Sequence, residues 1–364
     1  MKRKVYITDL IGAYCGMHYY DESFVEIFHE RGYDVEILSN FNMRGKQQYF
    51  PIIFNKNKIK SIVLLLFTFV KFVWHQVTHR GSIYVYMCYG EFYDLLMMST
   101  IIFNKKVVCD IHEVHALKYS DSSLISRAFE WYYTTVVRNV IYHSERTKSI
   151  LEGLKANSTM FYLPHIKYSF KKTYDINNVS PEITNALVSN KTKFLFFGNL
   201  SRVKGIDVIV DTFNNLSEDL IDKVEIVIAG KNVDNIEFKE YKSISSNYKV
   251  FDRHINDDEL VYLYMHTDFV LLPYRKSSQS GIFAMATYFR KPMILTDIPY
   301  FKKMLEEYPS FGQCASLDKY PNLIETIILN PNVGNYYVDE DCAKNESKQE
   351  INLFFEKFNQ YANN

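Results

Sequence analysis

A chain of 364 residues is long for a single core and predicts two domains. Its 42 basic and 42 acidic side chains cancel, which argues against a nucleic-acid partner, since such binders carry a basic excess. The five cysteines (Cys15, Cys88, Cys109, Cys314 and Cys342) are widely spaced with no C-x-x-C pair. Neither a disulfide framework nor a zinc site is expected, and a reducing compartment is.

In chain order, Lys4 to Thr8 reads as a short buried strand, too short to serve as a signal-peptide core, so a cytoplasmic location is expected. The loop after it holds Gly12, Tyr14 and Gly16. A helix from about Tyr20 to Arg31 has Phe24, Val25, Ile27 and Phe28 as its apolar face and Gly32 as its stop signal. Val35 to Leu38 reads as the next strand, completing a βαβ unit. The glycines do not spell G-x-G-x-x-G, so the dinucleotide fingerprint is absent.

Lys56 to Arg80 stands apart. Ile62 to Val73 is almost wholly apolar between cationic flanks, but shorter than the ~20 residues that span a bilayer and interrupted by Lys71. One reading is an interfacial helix on a membrane surface. The other is a buried helix with lysines at its solvated ends, and a short apolar run does not separate the two. Both hold if one face points inward and one toward lipid, with the protein peripheral on the inner face of the cell membrane.

Strands follow at Ser82–Cys88, Lys106–Ile111 and Asn139–His143, with helices at Ser123–Val137 and Glu145–Leu154. A polar stretch carrying Pro181 reads as a linker, after which the pattern restarts. Strands are expected at Phe194–Phe197, Val224–Ala229, Val250–Phe251, Phe269–Leu272 and Pro292–Leu295, with helices at Gly205–Leu216, Asp257–Met265 and Gly281–Tyr288. Glu346 to Tyr361 reads as a last helix. Two doubly wound parallel-sheet α/β domains result, at 1–170 and 191–342, with a linker at 171–190 and a tail at 343–364. Ligands in such sheets bind beyond the carboxyl ends of the strands, which selects the loops after Thr8, Ile111, Phe197, Ala229 and Leu272.

Several of these loops resemble a known family. Gly198-Asn199-Leu200-Ser201-Arg202-Val203-Lys204-Gly205-Ile206-Asp207 is similar to the "G-x-L-x-x-x-K-G-x-D" start of family-four retaining glycosyltransferases. Ala229-Gly230, the strand ending Leu272-Pro273, Ser280-Gly281 and Lys291-Pro292-Met293-Ile294 resemble that family's later motifs in order, and Asp110-Ile111-His112-Glu113 its "H-D" loop. The match is strong in the carboxyl half and thin in the amino half. The resemblance implies the GT-B architecture: two Rossmann-like domains facing across a cleft, with the last helix crossing back to the first domain.

It also implies transfer, with retention, from a nucleotide diphosphate sugar, with UDP favoured. The acceptor would be a saccharide, carried on a polyprenyl diphosphate or similar lipid, in bacterial surface polysaccharide synthesis. Departure of the diphosphate leaves growing negative charge, and stabilising it is the main task of the site. Lys204 and Arg202 can pair with phosphate oxygens, while Ser278, Gln279, Ser280 and Gly281 open a helix whose free N–H groups suit an anion. Gly198, Asn199 and Gly205 complete the donor side. No metal and no cofactor are then required. By resemblance His112 faces the donor sugar. His115 three residues on raises a metal site that no other ligand cluster supports, and the plain alternative is a histidine bonded to loop backbone. Gly12, Tyr14 and Gly16 are candidates for the acceptor or phosphate side, or serve only the turn.

The family's E-x7-E glutamates fall on Ser277 and Met285, so both carboxylates are missing, and Asn199 stands where an Arg is usual. A degenerate protein that binds a sugar nucleotide or a partner without turnover, or a nucleotide-sugar epimerase of the same fold, is the alternative.

Overall fold

The computed structural model describes residues 4–12, 17–42, 46–115, 119–120, 122–164, 166, 170, 173–236, 247–277, 280–331 and 340–363. It divides into two compact units, Met1–Ser169 with Asn345–Asn364, and Phe170–Lys344. Each is built around a six-stranded parallel sheet.

In the first unit the strands are β1 (Lys4–Asp9), β2 (Asp34–Ser39), β3 (Ile83–Cys88), β4 (Val107–Ile111), β5 (Asn139–Tyr142) and β6 (Thr159–Tyr162). Their order is β2-β1-β3-β4-β5-β6. The helices are α1 (His18–Glu30), α2 (Lys58–Thr78), α3 (Phe92–Met98), α4 (Leu124–Thr135) and α5 (Glu145–Gly153). All six residues of β3 are buried, as expected of a central strand covered on both faces. The chain moves one way from β1 to β2 and the other way afterwards, so right-handed crossovers put α1 on one face and α2, α3 and α4 on the other. Alternate β3 residues Tyr84, Tyr86 and Cys88 accordingly share a core with Phe72 of α2, Met97 of α3 and Tyr133 of α4.

In the second unit α6 (Pro181–Ala186) precedes β7 (Thr192–Phe197), α7 (Ile206–Asn214), α8 (Glu218–Ile221), β8 (Val224–Gly230) and β9 (Tyr248–Asp252). Then come α9 (Asp257–Met265), β10 (Phe269–Leu272), α10 (Gly281–Tyr288), β11 (Met293–Thr296), α11 (Pro299–Glu307), β12 (Gly312–Ala315) and α12 (Tyr320–Leu329). The order β12-β11-β10-β7-β8-β9 reverses between β7 and β10, the doubly wound arrangement of dinucleotide folds.

The stretch 171–190, expected as a linker, belongs to this unit. Glu259 of α9 forks onto Arg253 at 2.7 Å through each oxygen and accepts from Ser180 N, while Asp258 accepts from Asp175 N and Asn178 Nδ2. Acidic side chains at one helix start thus hold the segment down.

The last helix, α13 (Glu340–Asn363), returns to the first unit. Phe354, Phe355 and Phe358 are buried there, with the Phe28 ring 4.9 Å from Phe355 and 5.2 Å from Phe358, and Phe161 on the far side of Phe358 at 6.0 Å.

Candidate active site

In the second unit the loops after β7 and β10 meet where the sheet reverses. These strands are neighbours, so their carboxyl ends lie side by side. The β7–α7 loop is tight because its glycines allow it. Gly198 has φ +103°, and a Cβ on Gly230 would lie 1.9 Å from the Gly198 carbonyl oxygen. Gly205, at φ +76°, leads into α7, and a Cβ there would meet the Pro273 carbonyl at 2.0 Å. Arg275 ties the two loops together. Its guanidinium donates to both oxygens of Asp207 at 2.8 Å and to the Arg202 carbonyl, and its backbone N donates to Val203 O at 2.9 Å.

Two features converge on Gly198. The point its Cβ would occupy is 3.3 Å from Lys204 Nζ and 3.2 Å from Ile282 Cδ1 in the first turn of α10. The Lys204 ammonium also lies 5.7 Å from the Tyr274 ring centroid. Ser280 caps α10, its Oγ accepting from Phe283 N at 3.2 Å. The N–H groups of Gly281 and Ile282, ahead of that bond, have no intrahelical acceptor. A lysine cation and a helix start with open donors therefore occupy one small volume, a disposition that suits a phosphate.

In the first unit, the loop after β1 is organised by Asp9, whose oxygens accept from Ile11 N at 2.7 Å, Gly12 N at 3.0 Å and the Tyr89 hydroxyl at 3.0 Å. Asp21 is fully buried beside it; burial, and then the charge of Asp9, push its carboxyl pKa well above the usual range. His112 follows β4 and is buried. Its ring lies between those of Tyr89 (5.1 Å, 13°) and His143 (5.0 Å, 27°), with the Tyr20 ring edge-on at 4.6 Å.

Asp110 accepts from Tyr20 Oη at 2.9 Å and pairs with His143 Nε2 at 2.5 Å, while His143 Nδ1 donates to Leu163 O at 2.8 Å. Asp110, His112 and His143 place their ligand atoms within 4.8 Å of one another, close enough for a metal set. Burial opposes charge on His143, but Asp110 outweighs it and raises the imidazole pKa. With Nδ1 donating to a carbonyl and Nε2 to a carboxylate, both nitrogens carry protons, and the Asp110–His143 contact is an ion pair.

A sequence model described as glycosyl transferases group 1 matches residues 182–345. That match lies almost wholly within the second unit. Sucrose-phosphate synthase from Thermosynechococcus elongatus is similar in structure, with TM-score 0.67 and 14% identity over 97% of this chain and 95% of that one. HepE from Anabaena, in complex with UDP-glucose, is similar with TM-score 0.64 and 13% identity over 98% and 99%. WaaG, a glycosyltransferase involved in lipopolysaccharide biosynthesis, gives 0.63 and 12% over 95% of each. No curated protein matches the chain in sequence. The two units are the two Rossmann-like domains of the GT-B glycosyltransferase fold.

Among the transferase residues singled out by sequence, Gly198, Lys204, Gly205, Ser280 and Gly281 lie in the two adjoining loops just described. Asn199 and Arg202 are exposed on the same loop, and Arg202 N donates to Asp234 at 2.8 Å. Ser278, Gln279, Tyr14 and Gly16 lie outside the described residues. Gly12 packs under the Phe41 ring, 2.5 Å from where a Cβ would stand, which gives it a role in the turn. Met285 is buried, an apolar residue where the family has a glutamate. Sequence reading missed Arg275, Tyr20, Tyr89 and His143. Arg275 and Asp207 are 68 positions apart, and no local signal joins them.

Proposed function

We propose that this protein transfers a glycosyl group, with retention of configuration, from a nucleotide diphosphate sugar, UDP being the favoured carrier. The acceptor we assign is a lipid-linked saccharide of a surface polysaccharide, met in the cytoplasm at the inner face of the membrane. The observation that carries the reading is the meeting of Lys204 and the first turn of α10 at Gly198, on the edge where the sheet order reverses. As the bond between the anomeric carbon and the diphosphate oxygen breaks, charge develops on that oxygen. Lys204 and the α10 N–H groups are fixed beforehand to receive it, with Arg202 on the same loop as a second cation. The acceptor hydroxyl then bonds to the anomeric carbon from the same side and its proton passes to the departing phosphate. Neither a protein nucleophile nor a metal is required in this scheme. Within the first unit, the ring orientation of His112 is fixed by Tyr20, Tyr89 and His143.

Labelled nucleotide sugars and lipid diphosphate acceptors test turnover, and calorimetry with UDP tests binding. Lys204→Ala should weaken UDP binding about 10- to 100-fold, the loss of one charge-assisted hydrogen bond. Unchanged binding in that variant overturns the site. The buried Met285 favours one second reading, a sugar-nucleotide binder without turnover. UDP binding that depends on Lys204, with neither transfer nor hydrolysis of any donor, would establish it.

A further inference from the structure

Helix α2 lies along the first unit with one side on the core and the other bare. Phe72, His75 and Gln76 are buried; His75 Nδ1 meets the Tyr84 hydroxyl at 2.8 Å and Gln76 Nε2 donates to Thr100 Oγ1 at 3.2 Å. On the outer side Ile62, Leu66, Val70 and Trp74 recur every fourth residue, and each is more than half exposed, Trp74 at 68%. Val63 and Phe67 widen the stripe. A helix face exposed to water is normally polar, and a contiguous apolar one marks a surface that something covers.

The charges around the stripe say what covers it. Lys71, the one ionised residue within the apolar run, is turned away from it, with its ammonium 3.9 Å from the Tyr49 ring centroid and 2.5 Å from the Tyr49 carbonyl. Lys56, Lys58 and Lys60 are exposed at the amino end and Arg80 beyond the carboxyl end. From Ile37 to Gly90 the sequence has seven Lys or Arg and no Asp or Glu, in a chain whose net charge is zero. Two copies joined along this stripe would bring cationic ends together, whereas an anionic lipid surface complements them. By length and composition α2 could cross a bilayer, but its inner side is bonded into the core, so it lies on the surface.

We infer that the outer face of α2 docks on an anionic bilayer, with Ile62, Leu66, Val70 and Trp74 among the acyl chains and the terminal lysines on lipid phosphates. The inference builds on the proposed lipid-linked acceptor, yet it is tested without donor or turnover, so either can fail alone.

The chain has two tryptophans, and the full-length Trp131→Phe variant leaves Trp74 as the sole reporter. On vesicles of equal parts phosphatidylglycerol and phosphatidylcholine, Trp74 emission should shift to the blue and the protein should sediment with the lipid. Binding to phosphatidylcholine alone should be at least about tenfold weaker. Adding Leu66→Gln and Val70→Gln, both at exposed positions, should weaken binding to the mixed vesicles about tenfold with an unchanged unfolding midpoint. Sedimentation without a Trp74 shift, or no binding to either vesicle, overturns the inference. So does lipid-free self-association that the double variant abolishes, which would make a second copy the occupant.

Discussion

Gly205 shows how a single position fixes the loop between β7 and α7. Its left-handed backbone and the 2.0 Å separation between a would-be Cβ and the Pro273 carbonyl leave no room for a side chain. Gly205→Ala should lower stability by at least about 2 kcal/mol, read from the urea midpoint, because it adds backbone strain to a clash with main chain. Asp110 and His143 make a second prediction. Burial opposes both charges, yet His143 holds Asp110 below its ordinary pKa, and Asp110 holds His143 above its own. The Asp110 contribution is present above the usual carboxylate range and lost as pH falls through its lowered pKa. The His143 contribution is complete below the usual imidazole range and lost as pH rises through its raised pKa. The pair therefore stabilises most between about pH 4 and 6.5. Thermal unfolding of His143→Gln should show its widest gap from the parent in that window, about 3 kcal/mol or more, narrowing on either side. His112 was legible as a residue at a strand's carboxyl end. The cage around it was not, since Tyr20, Tyr89 and His143 come from three separate loops or helices.

Among elements, those with strong patterns were read almost to the residue. Asp257–Met265, Phe269–Leu272 and Gly281–Tyr288 form where the apolar spacing and cap residues predict them. Missed were α3, β6, α8, α11, β12 and α12, none longer than ten residues. β6 and β12 are edge strands, and β12 begins Gly312-Gln313, with no apolar run to betray it. The final helix was legible from Ile351, Phe354, Phe355 and Phe358, but its partners were not. Phe358 is fully buried among Phe28, Tyr33 and Phe161. Phe358→Ala should cost about 3–5 kcal/mol, measured by denaturant unfolding, through lost burial and the cavity left behind.

For the molecule as a whole, the return of α13 makes the first unit discontinuous in sequence, while the second is one continuous segment. Deleting residues 345–364 strips a buried aromatic cluster from the first unit alone. The deletion should lower the first unit's unfolding transition and leave UDP binding within about twofold of the parent, since Lys204 and α10 belong to the other unit. UDP at about a hundred times its Kd should stabilise the second unit by about 2.7 kcal/mol, visible in scanning calorimetry as an upward shift of its transition.

Alternating buried strands and amphipathic helices, interrupted once and resumed, determined the two α/β domains, because period and burial are written locally in the chain. The order of glycine, lysine and helix start in the second half marked candidate donor-site residues through a motif resemblance, which is also local in the chain. Only the tertiary structure decided that β7 and β10 lie side by side, which brings Lys204 to the first turn of α10. It alone decided that Asp110 and His143 neutralise each other, and that α2 turns its apolar stripe outward with Lys71 tucked behind. Those facts depend on which segments meet across many intervening residues, and sheet order sets that.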